Sequence, residues 1–126
     1  MAITTTKGNA IINYIVSGLT RIYVVDDPTN EIAVGDNISS HTAKVLNTYR
    51  TAVWNSATNG NQVTIDNDLS NNPLYYLIPS GSNITHWVFT NTSELVTAVR
   101  TLSAPVSFSV DNAYYIRAFN LVFTEV

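Results

Sequence analysis

The first apolar residues of the chain recur at the spacing of an α-helix. Ala10 and Tyr14 lie four residues apart, as do Ile11 and Ile15, which places all four along one helical face. Gly18 follows as a natural stop, and Thr4, Thr5 or Thr6 can supply the side-chain oxygen that caps the first turn. The pattern therefore predicts one short helix of about three turns.

Beyond this helix the apolar residues are β-branched or aromatic, and they stand in short runs or alternate with polar residues. Clusters of Asp, Asn, Gly and Pro interrupt the runs about every ten residues. The predicted strands cover residues 21–25, 31–34, 41–54, 62–65, 74–78, 84–89, 95–99, 106–110 and 114–123. This spacing predicts a mostly-β protein, namely an antiparallel β-sandwich (jelly-roll-like) of eight or nine short strands with one short N-terminal helix.

Two local features make this prediction specific. Asn59-Gly60 is the strongest hairpin signal, so residues 62–65 should run back antiparallel to the strand before the turn. Two tyrosine pairs also lie inside predicted strands, where neighbouring side chains point to opposite faces. One ring of each pair should therefore enter the core while the other faces outward, and a subunit interface is favoured over a sugar as its partner. The pairs are Tyr75-Tyr76 and Tyr114-Tyr115.

Composition narrows the class of protein. Only 12% of the 126 residues are charged, the net charge is −3, and the surface must instead be built from Asn, Ser and Thr. Such surfaces are common on extracellular and virion β-proteins. The six basic residues are scattered and form no stripe, so nucleic-acid binding is not expected. No apolar run could span a membrane, and residues 2–6 do not resemble a signal peptide.

The sequence offers little reactive chemistry. It contains no cysteine, which excludes disulfides, thiolate catalysis and cysteine-based zinc sites. His41 and His86 are the only histidines, and no G-x-S-x-G motif accompanies them. Thr85-His86-Trp87 is therefore interpreted as part of a strand, with His86 and Trp87 pointing to opposite faces. We predict no catalytic residue, cofactor or metal.

Two acidic segments are weak candidates for a bound cation. Asp66-Asn67-Asp68 resembles the start of a calcium loop, but the glycine and glutamate that such a loop needs are missing at its sixth and twelfth positions. Asp26-Asp27-Pro28 is interpreted first as a turn. Both segments are therefore expected to be turns between strands.

The order of the segments resembles a family of small bacteriophage virion proteins, described as tail-fibre-like or capsid decoration proteins. The resemblance covers about residues 7–122, from the helix KGNAIINYIVSG through RIYVVDDPTNE to PVSFSVDNAYYIRAFNLVF. Tyr49-Arg50 matches a Tyr-Ala-Arg strand without its small residue, and Ile84-Thr85-His86-Trp87 is similar to a V-T-H strand. Pro105-Val106 and Asp111-Asn112 match the closing strand and its turn. Val110 stands where the family has glycine, and SSHTAKVLNT replaces a glycine-rich segment.

The resemblance implies a non-enzymatic virion structural protein. We expect a capsid decoration (cement) protein that binds the major capsid protein on the outside of a phage head and is assembled in the host cytoplasm. The alternative is a tail or fibre component that contacts a host glycan, and a free lectin-like or hydrolytic domain is a third possibility.

The same resemblance implies an N-terminal arm over residues 1–8, followed by a single domain over residues 9–126. The arm would contact the capsid through Ile3, Thr4, Thr5, Thr6 and Lys7. A homotrimer would bury outward aromatic side chains between its subunits, with candidates at Tyr49, Tyr75, Tyr76, His86, Trp87, Tyr114 and Tyr115.

Overall fold

The computed structural model describes residues 4–66, 74–117 and 119–123 of the chain. Within these residues there are one α-helix, α1 (Thr5–Ser17), and one 3₁₀ helix (Ile38–Lys44). The described strands are β1 (Arg21–Val25), β2 (Arg50–Thr51), β3 (Gln62–Thr64), β4 (Tyr75–Ile78), β5 (Asn83–Thr90), β6 (Val96–Ser107), β7 (Asn112–Tyr115) and β8 (Asn120–Val122). Every pairing between them is antiparallel. The mostly-β, antiparallel class with an N-terminal helix is confirmed, whereas the sandwich, its jelly-roll-like topology and the single domain remain predictions.

Helix α1 forms where the apolar spacing places it. Thr4 is its N-cap, and the Thr4 side chain accepts a hydrogen bond from the backbone N–H of Lys7 at 3.3 Å. Gly18 ends the helix and donates its backbone N–H to the carbonyl of Ile15. Among the described residues, no helix is long and apolar enough to cross a membrane.

The sheets explain why the interior divides into two clusters. The largest sheet has the strand order β2-β1-β5-β6, and two further sheets pair β3 with β8 and β4 with β7. In β1, Ile22 and Val24 face a core shared with α1, β3 and β4. Tyr23 and Val25 face the opposite way, into a smaller cluster closed by Ile32 and Ile38. Both faces of β1 are therefore covered.

The helix docks on a tight turn through two glycines. Asn59 and Gly60 both have positive φ (56° and 73°), as the Asn-Gly turn signal predicts. The predicted hairpin is incomplete, because β3 pairs with β8 and meets the segment before the turn only at the isolated bridges Thr58–Gln62 and Trp54–Ile65. A Cβ built at Gly8 would overlap the carbonyl of Gly60, lying 2.8 Å from its carbon atom. Asn9 Oδ1 accepts the Gly60 backbone N–H at 2.8 Å, and Asn13 Oδ1 accepts that of Ala57 at 2.9 Å. Only glycine at position 8 permits this close approach.

Several predicted strands have different boundaries or are not strands. Residues 31–34 form a loop, and the first part of 41–54 belongs to the 3₁₀ helix, which Asn37 caps by accepting the Ser39 N–H at 3.0 Å. Residues 95–99 and 106–110 were expected as two strands, but one long strand, β6, runs through Pro105. Since β6 is the outermost strand of its sheet, the missing N–H of proline breaks no ladder. The expected strand 114–123 divides into β7 and β8.

Candidate functional site

The residues predicted to contact a capsid lie at the start of α1. Thr4 is the cap, and Thr5, Thr6 and Lys7 are exposed residues of the first helical turn. The predicted arm over residues 1–8 is therefore too long, because Thr4 caps a helix that begins at Thr5 and Gly8 is buried against Gly60. Ile3 lies outside the described residues.

One face of α1 is apolar and exposed, which the sequence alone did not predict. Ile11, Tyr14 and Ile15 keep 49%, 81% and 40% of their surface exposed, and Lys7 precedes them on the same side. We call these four residues the helix outer face. The adjacent side of the helix buries Gly8, Ile12 and Val16. The helix is therefore apolar on two sides, and only one of them is covered by this chain.

Two of the predicted interface residues are instead buried inside the chain, so their assignment to a subunit interface is corrected. Tyr76 has no exposed surface and donates its hydroxyl to the Ile22 carbonyl at 2.7 Å. His86 is 3% exposed. Both side chains are already surrounded by residues of their own chain, so neither ring can be offered to a neighbouring subunit.

Three further candidates are held in pairs within the chain. Trp87 is half-buried, donates its Nε1–H to the Tyr114 hydroxyl at 3.1 Å and lies under the guanidinium of Arg100, 4.8 Å from Cζ. Tyr49 is also half-buried and lies 4.2 Å below Cζ of Arg21. Each of these three rings is therefore partly buried in the core and partly exposed at the surface.

The remaining two candidates, Tyr75 and Tyr115, are neighbours, and each has an arginine close to its ring. Tyr75 and Tyr115 are opposite each other on β4 and β7, with ring centroids 6.0 Å apart. Arg50 Cζ lies 5.5 Å from the Tyr75 ring, and Arg117 Cζ lies 5.9 Å from the Tyr115 ring. We call these four residues the Arg–Tyr row. As predicted, one ring of each tyrosine pair points outward.

Thr85 and His86 form a buried hydrogen-bond junction. His86 Nδ1 is 2.7 Å from the Thr85 hydroxyl, and His86 Nε2 is 2.7 Å from Asn30 Oδ1. The Thr85 hydroxyl also donates to the Val25 carbonyl at 3.2 Å, and the amide oxygen of Asn30 accepts from His86 Nε2. The Thr85 oxygen also accepts the Asp27 backbone N–H at 2.8 Å. The junction joins β5 to the loop after β1, and His86 and Trp87 point to opposite faces as predicted.

The carboxylate of Asp27 accepts hydrogen bonds from the backbone of the same loop, the one after β1. Its two carboxylate oxygens each accept a backbone N–H at 3.0 Å, from Glu31 and from Ile32. Burial would raise the pKa of Asp27, but these two hydrogen bonds, together with nearby His86, outweigh it and hold the pKa below its ordinary value. The turn interpretation of this acidic segment is thereby confirmed, since both oxygens already serve the loop.

We expect Asp27→Asn to remove the stabilisation that the ionised carboxylate provides. An amide leaves one of the two N–H donors, part-buried at Glu31 or buried at Ile32, without an acceptor, which should cost about 1–3 kcal/mol at neutral pH. Because the folded pKa is depressed, the wild-type contribution is complete above the unfolded pKa of about 4 and is lost as the pH falls through the folded value. Denaturant titrations between pH 7 and pH 2 measure the free energy of unfolding of both proteins as a function of pH.

The two proteins should therefore converge in stability toward the acid end of that titration. Asp26→Asn is the matched control, because it leaves both hydrogen bonds to Asp27 in place. A constant difference between wild type and Asp27→Asn at every pH would contradict the assignment.

The second acidic segment lies largely outside the described residues, which include only Asp66 of Asp66-Asn67-Asp68. Over 4–66, 74–117 and 119–123, no group of three or more His, Cys, Asp or Glu residues is arranged to hold a metal ion. Two exposed surfaces of the described residues remain as candidate binding sites, namely the helix outer face and the Arg–Tyr row.

Comparisons with protein-family models, with curated proteins and with solved structures each gave no match.

Proposed function

We propose that this protein is a non-enzymatic structural protein of a bacteriophage virion, a capsid decoration protein that binds the outer surface of the head. The observation that carries the proposal is the helix outer face, an apolar surface that the chain leaves uncovered. Exposed apolar patches of this kind are typical of protein–protein contact sites. The sequence resemblance supplies the partner, the major capsid protein.

The helix is well suited to present this face. Its buried side is fixed to the body by the Gly8–Gly60 contact and by the side chains of Asn9 and Asn13. A surface that is already rigid loses little conformational entropy when it binds. Covering an isoleucine or an aromatic side chain contributes about 1.5–3 kcal/mol, so this face can supply much of a useful affinity.

Binding at this face would stabilise the shell by linkage. If each copy contacts two neighbouring capsid subunits, the contacts exist only while those subunits stay together. The binding free energy then adds to the free energy needed to open the lattice. In this proposal the chain is also a homotrimer, which the solution mass of the purified protein tests directly.

Copy number in the virion tests the location. Quantitative mass spectrometry of purified virions should find hundreds of copies per particle, and labelling should place them over the head. A few copies confined to the tail would instead support the alternative, a tail or fibre component that contacts a host glycan.

We expect the double variant Ile11→Ser, Tyr14→Ser to fold but to bind heads about 100-fold more weakly. Losing two apolar contacts of about 1.5 kcal/mol each removes about 3 kcal/mol of binding free energy. The measurement is cosedimentation with heads from a phage that lacks this gene, and thermal melting verifies the fold.

Val34→Ser is the matched control, because Val34 is an exposed apolar residue on a loop and is not part of the helix. It should bind like wild type. Wild-type occupancy by the double variant would overturn the assignment of the helix outer face.

A further inference from the structure

We propose that the Arg–Tyr row is a binding site for an acidic polysaccharide. The two tyrosines of the row lie on the outward face of the two-stranded sheet formed by β4 and β7, on the side opposite Tyr76. Arg50 lies close to both rings of its tyrosine pair, 5.5 Å from that of Tyr75 and 5.1 Å from that of Tyr76. The inference concerns the isolated protein and does not depend on whether the chain occupies a phage head or a tail.

The two tyrosine rings form the apolar part of the site. Tyr75 and Tyr115 remain 38% and 47% exposed, and their planes differ by only 37°. They therefore offer two adjoining aromatic surfaces of similar orientation. A pyranose ring has an apolar face of C–H groups that stacks on such a surface, while its hydroxyl groups stay at the edges and remain hydrated. Exposed Leu77 continues the apolar strip along β4.

The two guanidinium groups decide the charge of the ligand. Arg50 and Arg117 stand at the two ends of the tyrosine pair and are two of only six basic residues in the chain. In the described part of the chain, the ion pairs are Lys44–Glu31 and His41–Asp36, and neither involves an arginine. A ligand that places a carboxylate or sulfate beside each ring would receive a charge-assisted hydrogen bond at both ends.

Contacts within the chain fix the Arg50 guanidinium in position before any ligand binds. Its Nη1 donates to the backbone carbonyls of Thr48 at 2.9 Å and Tyr49 at 3.2 Å, and its Cζ also lies 5.1 Å from the Tyr76 ring. A guanidinium has five N–H donors, so several remain after these contacts. A fixed guanidinium loses less conformational freedom on binding than a free one.

Other ligands fit this surface less well. Nucleic acid is disfavoured because two cations on a chain of net charge −3 release few counterions from a phosphate backbone. A second copy that met the row face to face would bring guanidinium groups of like charge together. A neutral glycan would leave both guanidinium groups without an anionic partner.

A single site of this kind is weak, and multiplicity would strengthen it. Two tyrosines and two arginines contact only a few sugar residues. In any assembly with several copies, a long polysaccharide can occupy several rows, and its avidity exceeds the affinity of one site by orders of magnitude.

The test uses the purified full chain and isothermal titration calorimetry. The acidic probe is a hexamer of galacturonic acid, and the neutral probe is maltohexaose. Wild type should bind the acidic probe at least 10-fold more tightly than the neutral one, and the affinity should fall as salt rises. Arg117→Gln and Tyr115→Ala should each weaken acidic binding at least 10-fold without changing the melting temperature.

Two matched controls locate the effect. Tyr14→Ala removes an exposed ring from the helix outer face, and Arg100→Gln removes an arginine that lies over Trp87. Both should keep wild-type binding. Equal binding of the two probes, or no binding of the acidic probe, would overturn the proposal. So would a fall in solution mass on Tyr115→Ala, since a second copy would then be the occupant.

Discussion

The Gly8→Ala variant is expected to lose about 3 kcal/mol of folding stability. Alanine is normally better than glycine inside a helix by about 1 kcal/mol, so propensity alone predicts the opposite sign. Here the added methyl group would overlap the carbonyl of Gly60, a backbone group that cannot rotate away as a side chain could. The overlap therefore outweighs propensity, and α1 must move off the turn at 58–62. Denaturant titration at neutral pH measures the loss.

Gly18→Ala is the matched control, because it adds the same methyl group at the other end of the same helix. A Cβ at Gly18 would come no closer than 3.5 Å to its nearest neighbour, and the φ of −91° suits any residue. Its stability should lie within about 1 kcal/mol of wild type. If both variants kept wild-type stability, the close approach of α1 to the turn would be disproved.

The Tyr76→Ala variant is expected to lose about 3–5 kcal/mol, a large share of the 5–15 kcal/mol that typically stabilises a domain. Tyr76 is the largest fully buried side chain among the described residues, and it occupies the core shared by α1, β1, β3 and β4. Its removal leaves a cavity beside Ile22 and also frees a carbonyl oxygen. Thermal and denaturant unfolding measure the loss.

Two further variants separate the contribution of the Tyr76 hydroxyl group from that of the buried ring, and the buried ring from its exposed neighbour. Tyr76→Phe keeps the ring and loses only the hydrogen bond to the Ile22 carbonyl, so it should cost about 1 kcal/mol. Tyr75→Ala removes the neighbouring, outward ring and should cost less than about 1 kcal/mol. A larger loss for Tyr75→Ala than for Tyr76→Ala would mean that β4 is displaced by one residue, since a slip of one position exchanges its two faces.

Local signals in the sequence predicted the features that depend on few residues. The capping threonine, the stop at Gly18 and the turn at Asn59-Gly60 each arise from the conformational preferences of one or two residues, and the structure contains all three. The outward and inward rings of Tyr75-Tyr76 follow in the same way, from the alternation of a strand.

Features that depend on distant partners could not be predicted in this way. Residues 31–34 have the composition of a strand, but the carboxylate of Asp27 holds this segment in a loop. The importance of Gly8 depends on Gly60, which is fifty-two positions away and contacts it only after folding.

The two candidate surfaces could not be predicted from the sequence either, because each depends on how the chain packs. Helix α1 carries apolar residues almost all the way round, so the periodic pattern cannot say whether Ile12 or Ile15 is buried. The Arg–Tyr row needs Tyr75 opposite Tyr115, a register between strands that are far apart in sequence. Tyr75 and Tyr115 were both named as surface candidates from the sequence, but the arginines beside them were not.

The strand order also has a consequence for the timing of folding. Strands β3 and β4 pair with β8 and β7, so their hydrogen-bonding partners are synthesised well after them. The turn that receives α1 leads directly into β3, and β3 gains its partner only after β8 (Asn120–Val122) has been synthesised. Contacts this distant in sequence make chain closure slow relative to that of a helical protein of the same length. Until then, the buried side of the helix lacks its partners from β3 and β4, which makes the nascent chain a natural client for chaperones.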